Sequence, residues 1–125
     1  MLRSAAQFPL ARRRHMGYSG AMGETVFEKI IHGEVEADIV LENEDVVAFR
    51  EINPEAPVHV LVVPRTPMKD LSESTNHDPE VMGKLIHGIA LTARKLGLEE
   101  NGYRVVFNIG RDALQTVPYL HGHIL

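Results

Sequence analysis

The sequence predicts an α+β domain: an antiparallel sheet of about five strands with one long helix and short helices. Three observations carry this. Five β-prone runs follow one another, the last two across a short polar loop; one long segment repeats apolar residues at helical spacing; and the final eleven residues alternate between two faces.

In chain order, Thr25-Val26-Phe27-Glu28 is a capping box. Thr25 accepts from the Glu28 amide while the Glu28 carboxylate reaches back, which opens a short helix through Ile30 and Ile31 that Gly33 closes. Asp38 to Leu41 and Val46 to Arg50 flank the polar turn Glu42-Asn43-Glu44-Asp45 and read as a hairpin. Ile52 to Pro57 holds two prolines, which lack ladder donors, so it is a rigid loop leading into Val58 to Pro64. That run is apolar on both faces and belongs in the middle of the sheet. Thr66-Pro67 repeats helix-start chemistry and predicts a short helix there, followed by a loop through Ser72 to Asn76.

Asp78-Pro79-Glu80 starts the long helix. Its Val81, Met82, Leu85, Ile86, Ile89, Ala93 and Leu96 recur at three- and four-residue steps and stop at Gly97. Gly83 and Gly88 weaken this helix intrinsically, which predicts close packing on the sheet. Tyr103 to Ile109 and Val117 to Leu125 are the last two strands, joined by the polar loop Gly110 to Gln115, and the helices are expected on one side of the sheet.

The final strand carries the densest chemistry. With a period of two, Tyr119, His121 and His123 share one face, and Leu120 and Ile124 the other. Same-face neighbours lie roughly 6.6 Å apart, so one small anion or cation reaches both rings. Gly122, on the apolar face, predicts close approach of another element. Asn108 ends the preceding strand, Gln115 and Thr116 sit in the connecting loop, and His59 opens the central strand. A histidine attacks phosphorus through one ring nitrogen when the other donates to a carbonyl or carboxylate. Hydroxyl, amide and imidazole donors then stabilise charge on the phosphoryl oxygens. The competing chemistry is metal ligation by His59, His121 and His123, although no carboxylate lies on the same strand and no H-E-x-x-H motif is present. His15, His32, His77 and His87 fall in the leader, a helix end, a loop and a solvated helix position, and no role is assigned to them. Glu42, Glu44, Asp45 and Asp78 read as turn and cap residues.

Composition narrows the class. A chain of 125 residues, 44% hydrophobic and 24% charged, fits one domain with its own core and leaves no room for a second. A formal charge of -4 supplies no basic field for nucleic acid, and no apolar run is long enough for a membrane-spanning helix. The absence of cysteine excludes disulfides, thiolate metal sites and cysteine nucleophiles. Residues 1–23 form a basic leader with Arg3, Arg12, Arg13 and Arg14 and no acid, set apart from a domain over residues 24–125. Its composition is that of a mitochondrial targeting peptide, although Pro9 interrupts an amphipathic helix; the expectation is a mitochondrial or a cytoplasmic protein with a disordered leader.

From Glu24 onward the chain resembles the histidine triad (HIT) superfamily, in its Hint-like nucleotide-binding branch. The resemblance rests on Phe27 to Ile31, Ala48 to Pro54, Ala56 to Pro64, Gly102 to Asn108 and Gln115-Thr116-Val117, in that order. It implies a homodimer of α+β protomers that binds purine nucleoside monophosphates and hydrolyses nucleoside phosphoramidates or related conjugates. The route implied is a nucleotidyl-histidine intermediate, with no cofactor required. His121 matches the nucleophile and His123 the last triad histidine. Asn108, Gln115 and Thr116 match phosphate contacts, with Thr116 counted beside the two catalytic histidines. Glu51 matches a ribose ligand, His59 the histidine adjoining the triad, and Phe27, Ile30 and Ile52 the walls of the base pocket.

Three departures stand out. Tyr119 takes the place of the first triad histidine, so the hydrogen-bond relay beside the nucleophile is expected to change. Gly122 replaces a hydrophobic spacer. The sequence given ends at Leu125, where the family pattern runs on through a glycine pair and a tail beside the leaving group. The alternatives are therefore a nucleotide-binding regulatory module with little turnover, and a histidine-based metal-binding protein.

Overall fold

The structure is a computed structural model, in which residues 24–125 are described; the leader over residues 1–23 lies outside them. Helix α1 spans Val26–Ile31, strands β1, β2 and β3 span Ile39–Glu42, Val46–Arg50 and Val60–Pro64, helix α2 spans Pro79–Lys95, and β4 and β5 span Val105–Val106 and Gly122–Ile124. Short 3-10 helices cover Ser72–Asn76 and Arg111–Ala113. The sheet order is β1-β2-β3-β5-β4, with every neighbouring pair antiparallel. β3 lies centrally with all five residues buried, as its two apolar faces require.

Local chemistry sets the helix ends. The capping box forms in full, with the Glu28 amide donating to Thr25 Oγ1 at 3.2 Å and the Thr25 amide to Glu28 Oε1 at 2.9 Å. Asp78 caps α2 through the Glu80 amide, and Gly97 follows its last turn at φ 73, a left-handed geometry that glycine adopts without steric cost.

Alternation along the strands divides the core in two. On one face Val47, Phe49, Leu61, Val63 and Tyr119 pack against Val26, Phe27 and Ile30 of α1. On the other, Val46, Ala48, Val60, Val62, Leu120 and Ile124 pack against Leu85 and Ile89 of α2. The helices thus cover opposite faces, which corrects the expectation of helices on one side.

Tertiary bonding overrides local signals in several places. No helix starts at Pro67; Met68 is instead buried, and its carbonyl accepts from the Leu120 amide at 2.8 Å. The helical turn falls later, on Ser72–Asn76. The strands expected over Tyr103 to Ile109 and Val117 to Leu125 shrink to Val105–Val106 and Gly122–Ile124, because β4 pairs with β5 alone and the chain ahead of Gly122 bonds to other segments. Ile86, counted in the apolar stripe, is 50% exposed.

The two helix glycines behave oppositely. A Cβ on Gly88 would sit 2.6 Å from Val46 Cγ2, so this glycine lets α2 lie directly on β2, whereas a Cβ on Gly83 meets nothing within 4 Å. Gly83 therefore has no packing role. Gly88→Ala should cost about 1–3 kcal/mol through overpacking. By contrast Gly83→Ala should gain roughly 0.5–1 kcal/mol from the lower entropy cost of an alanine helix position. Urea unfolding of both variants checks this, and equal effects would show that the close helix–sheet contact at Gly88 has no energetic weight.

Candidate active site

The first half of β5 with the residue before it, and the residue just ahead of β3, bring three imidazoles together. His121 and His123 alternate onto the same sheet face, with ring centroids 4.9 Å apart. β3 pairs antiparallel with β5, placing Leu61 opposite His123, so His59, just ahead of β3, lies alongside. His59 and His123 ring centroids are 5.2 Å apart.

The hydrogen-bond network assigns a tautomer to each ring. The loop containing Pro54 and Pro57 turns the Glu55 amide onto His59 Nδ1 at 3.1 Å. This nitrogen therefore accepts, and neutral His59 carries its proton on Nε2. His59 Nε2 lies 2.9 Å from His123 Nδ1 and donates to it. His123 consequently bears its proton on Nε2. His121 runs the other way, because its Nδ1 donates to the Tyr119 carbonyl at 2.7 Å and its Nε2 keeps the lone pair. Among the described residues no buried side-chain nitrogen or oxygen lacks a partner. His121 Nε2 has no protein partner, so this atom reaches solvent although the residue is 6% exposed. The face thus offers a lone pair on one ring and an N–H on the next.

Electrostatics keeps both rings neutral near pH 7. Burial lowers the His121 pKa most, the Tyr119 carbonyl bond opposes this, and a charge on His59 lowers it further. His123 falls from 6.5 to about 4, first through burial and then through the positive charge that His121 and His59 gain on protonation. A neutral His121 is a nucleophile with its lone pair available.

Tyr119 does not act as the sequence suggests. Its phenol is buried against Phe27 and donates to the Pro64 carbonyl, not to an imidazole. Burial raises its pKa far above the ordinary phenol value, with the Glu28 carboxylate adding to the shift. Position 119 reaches His121 through its main-chain carbonyl, while its side chain takes no part in the hydrogen bonds among the imidazoles.

The other predicted residues fall into three groups. Asn108 and Gln115 brace the loop between β4 and β5. Asn108 Nδ2 donates to the Ala113 carbonyl at 3.0 Å, and Gln115 accepts from the Gly110 amide at 2.8 Å while donating to the Lys69 and Val117 carbonyls at 2.8 and 3.0 Å. Thr116 is exposed at the end of this braced loop. Glu51 is half-buried, and one carboxylate oxygen caps the Asn53 amide at 3.2 Å. Phe27 and Ile30 belong to the core under α1, with Ile52 packed at its margin. Phe27 is the one that touches the imidazoles, its ring standing edge-on to His121 at 4.9 Å.

Two features went unread in the sequence. The Glu55 amide fixes the His59 tautomer, a bond for which the i, i+4 spacing across a proline-bracketed loop is the available signal. Leu114 adopts φ 64, where glycine is usual, with nothing in its side chain to announce it. As for metal ligation, the ring nitrogens of His59 and His123 that face each other are engaged in one hydrogen bond. Among the described residues, three ligand atoms come within 4.8 Å of one another at Glu24, His32 and Glu34, not at the three site histidines.

Fold and site together define an α+β protein whose chemistry is that of adjacent neutral imidazoles in opposite protonation arrangements. The HIT domain model matches residues 32–125, and the chain belongs to that family. It is 44% identical over 100 residues to an uncharacterised HIT-like protein of Helicobacter pylori, covering 80% of this chain and 93% of that one. It is 36% identical over 102 residues to the purine nucleoside phosphoramidase of Escherichia coli, covering 82% and 86% respectively. A solved HIT family hydrolase from Clostridium thermocellum superposes with a TM-score of 0.78 at 37% identity, over 84% of this chain and 91% of that one.

The lowered histidine pKa values have a consequence for stability. As pH falls, the unfolded chain binds protons at His123 near 6.5 while the folded chain waits until about 4. This contribution to stability is present in full above the unfolded value and is lost as pH falls towards the folded one. Urea midpoints measured between about pH 7.5 and 4.5 should decline less steeply in His123→Asn than in the wild type. Parallel profiles would show that His123 is not desolvated in the folded protein.

Proposed function

We propose that the protein is a purine nucleotide-binding hydrolase that cleaves nucleoside phosphoramidates or related nucleotidyl conjugates, with no metal or other cofactor required. The observation that carries this is the pairing of a solvent-reaching lone pair on His121 with an N–H on His123.

In the proposed reaction the His121 Nε2 lone pair attacks the α-phosphorus. The bond from phosphorus to the leaving nitrogen breaks, and the amine departs with a proton taken from solvent. His121 then bears the nucleotidyl group, and its Nδ1–H stays on the Tyr119 carbonyl, which favours the positive charge the ring acquires. His123 Nε2–H donates to a non-bridging phosphoryl oxygen, where negative charge is held in the transition state. Water next attacks phosphorus, the bond to Nε2 breaks and returns its electron pair to the ring, and one proton goes back to solvent. In this reading Thr116, exposed at the end of the β4–β5 loop, donates its hydroxyl to the same phosphate, and the Glu51 carboxylate oxygen not bonded to Asn53 accepts from a ribose hydroxyl.

A second copy of the chain is proposed to complete the assembly along β4. That strand pairs on one side only, and Val105 on it and Tyr103 just ahead of it are 38% and 39% exposed, which suits continuation of the sheet into a dimer. The alternative, a nucleotide-binding module with little turnover, predicts nucleotide affinity without release of AMP; the bond from His121 Nδ1 to the Tyr119 carbonyl favours the hydrolase.

The test is hydrolysis of an adenosine phosphoramidate in excess chelator. Wild type should release AMP with undiminished rate, and His121→Ala should lose on the order of 10³-fold or more in kcat, as nucleophile removal does elsewhere. Loss of wild-type activity on chelation, or survival of activity in His121→Ala, contradicts the proposal.

A further inference from the structure

We propose that Tyr119 is a positioning residue whose hydroxyl, bonded to the Pro64 carbonyl, holds the chain ahead of β5 splayed from β3 so that the Tyr119 carbonyl stays on His121 Nδ1. The inference rests on the hydrolase reading for its kinetic part and on the hydrogen-bond geometry alone for the rest.

The β3–β5 ladder is short. Its register pairs run Val60–Ile124, Leu61–His123 and Val62–Gly122, and then stop. Continued in step, Pro64 would face Leu120. Instead the Leu120 amide turns away to the Met68 carbonyl at 2.8 Å, and the Tyr119 amide closes back on the Val117 carbonyl at 2.8 Å around Pro118. The segment therefore leaves β3 just where it carries the nucleophile. Leaving the ladder frees the Tyr119 carbonyl for the imidazole; a carbonyl engaged in a β-rung points along the sheet and not at a side chain two residues on.

A segment released from its ladder needs another tie, and the phenol supplies it. Tyr119 Oη donates to the Pro64 carbonyl, which lies at the end of β3 beyond the last registered pair. The ring fills the space between, 2% exposed and edge-on to Phe27, with centroids 6.5 Å apart. Phe27 in turn stands edge-on to His121. One side chain thus sets the width of the splay through its hydroxyl and supports the neighbour of the nucleophile through its ring. Because a phenol does not titrate near neutrality, the tie persists across the range in which an imidazole changes charge.

The experiment compares wild type, Tyr119→Phe and Tyr119→p-aminophenylalanine, the last restoring a donor at the para position. The readouts are the imidazole 15N–1H spectrum of His121 and the kinetic constants with an adenosine phosphoramidate. Wild type should show the single Nδ1–H tautomer. Tyr119→Phe should show exchange between tautomers and a kcat reduced about tenfold with KM within about twofold, the pattern of lost positioning and not lost binding. The restored donor should return both readouts towards wild type. If Tyr119→Phe keeps the wild-type spectrum and kcat, the tie is not a positioning device and the proposal fails. Should Tyr119→Phe not fold, the p-aminophenylalanine variant decides: a mixed tautomer with the donor restored overturns the proposal. A wild type with no turnover defeats the hydrolase reading, while the spectra still decide the role of Tyr119.

Discussion

The hydrogen bond from His121 Nδ1 to the carbonyl of Tyr119 is the contact on which the rest of the site depends. It is a bond between residues two apart in an extended segment, and it forms because that segment has left the sheet. While the carbonyl is held there, the proton is on Nδ1 and the lone pair is on Nε2. The second chain of bonds, from the Glu55 amide through His59 to His123, orients the neighbouring ring in the opposite sense. Neither ring owes its protonation to a carboxylate; both are set by main-chain groups that do not titrate, so the pattern holds wherever the imidazoles themselves remain neutral.

The fold supplies the conditions for that neutrality. The sheet is covered on one face by α1 and on the other by α2, and His121 sits at the edge of the first of these cores, against Phe27. Burial against Phe27 strips water from His121 and depresses its basicity, which removes the positive form that cannot attack. Two glycines allow the second face to close tightly. Gly88 brings α2 onto Val46, and at Gly122 a Cβ would stand 3.0 Å from both Ile89 Cδ1 and Phe107 Cζ. The spacer between the two site histidines is therefore small because Ile89 and Phe107 already fill that side of the strand.

Much of this was legible in the sequence, for reasons that are local. The capping box, the Asp78 cap and Gly97 are short-range chemistry, and α1 and α2 follow them. The shared face of Tyr119, His121 and His123 follows from the two-residue period of extended chain, and the central place of β3 from its apolar faces. What the sequence hid was non-local. Thr66-Pro67 has the residues of a helix start, yet burial of Met68 and its bond to Leu120 prevail. At position 119 the sequence shows a side chain but not the main-chain carbonyl that bonds His121, nor the Pro64 carbonyl on which the phenol settles. The amides of Asn108 and Gln115 looked like ligand donors and are also the braces of their own loop, a use that depends on where the chain returns.

The central claim is that His121 Nε2 acts as a nucleophile, and trapping the covalent species tests it most directly. An adenosine phosphoramidate is mixed with the protein in chelator, quenched at the earliest turnovers under conditions that preserve phosphorus–nitrogen bonds, and analysed by intact mass and peptide mapping. The account predicts a single adenylyl group on the peptide holding His121, formed no more slowly than AMP is released. Product formed with no adduct at any time, together with one-step inversion of configuration at a chiral phosphorus, would contradict it, since direct attack by water would then be the route.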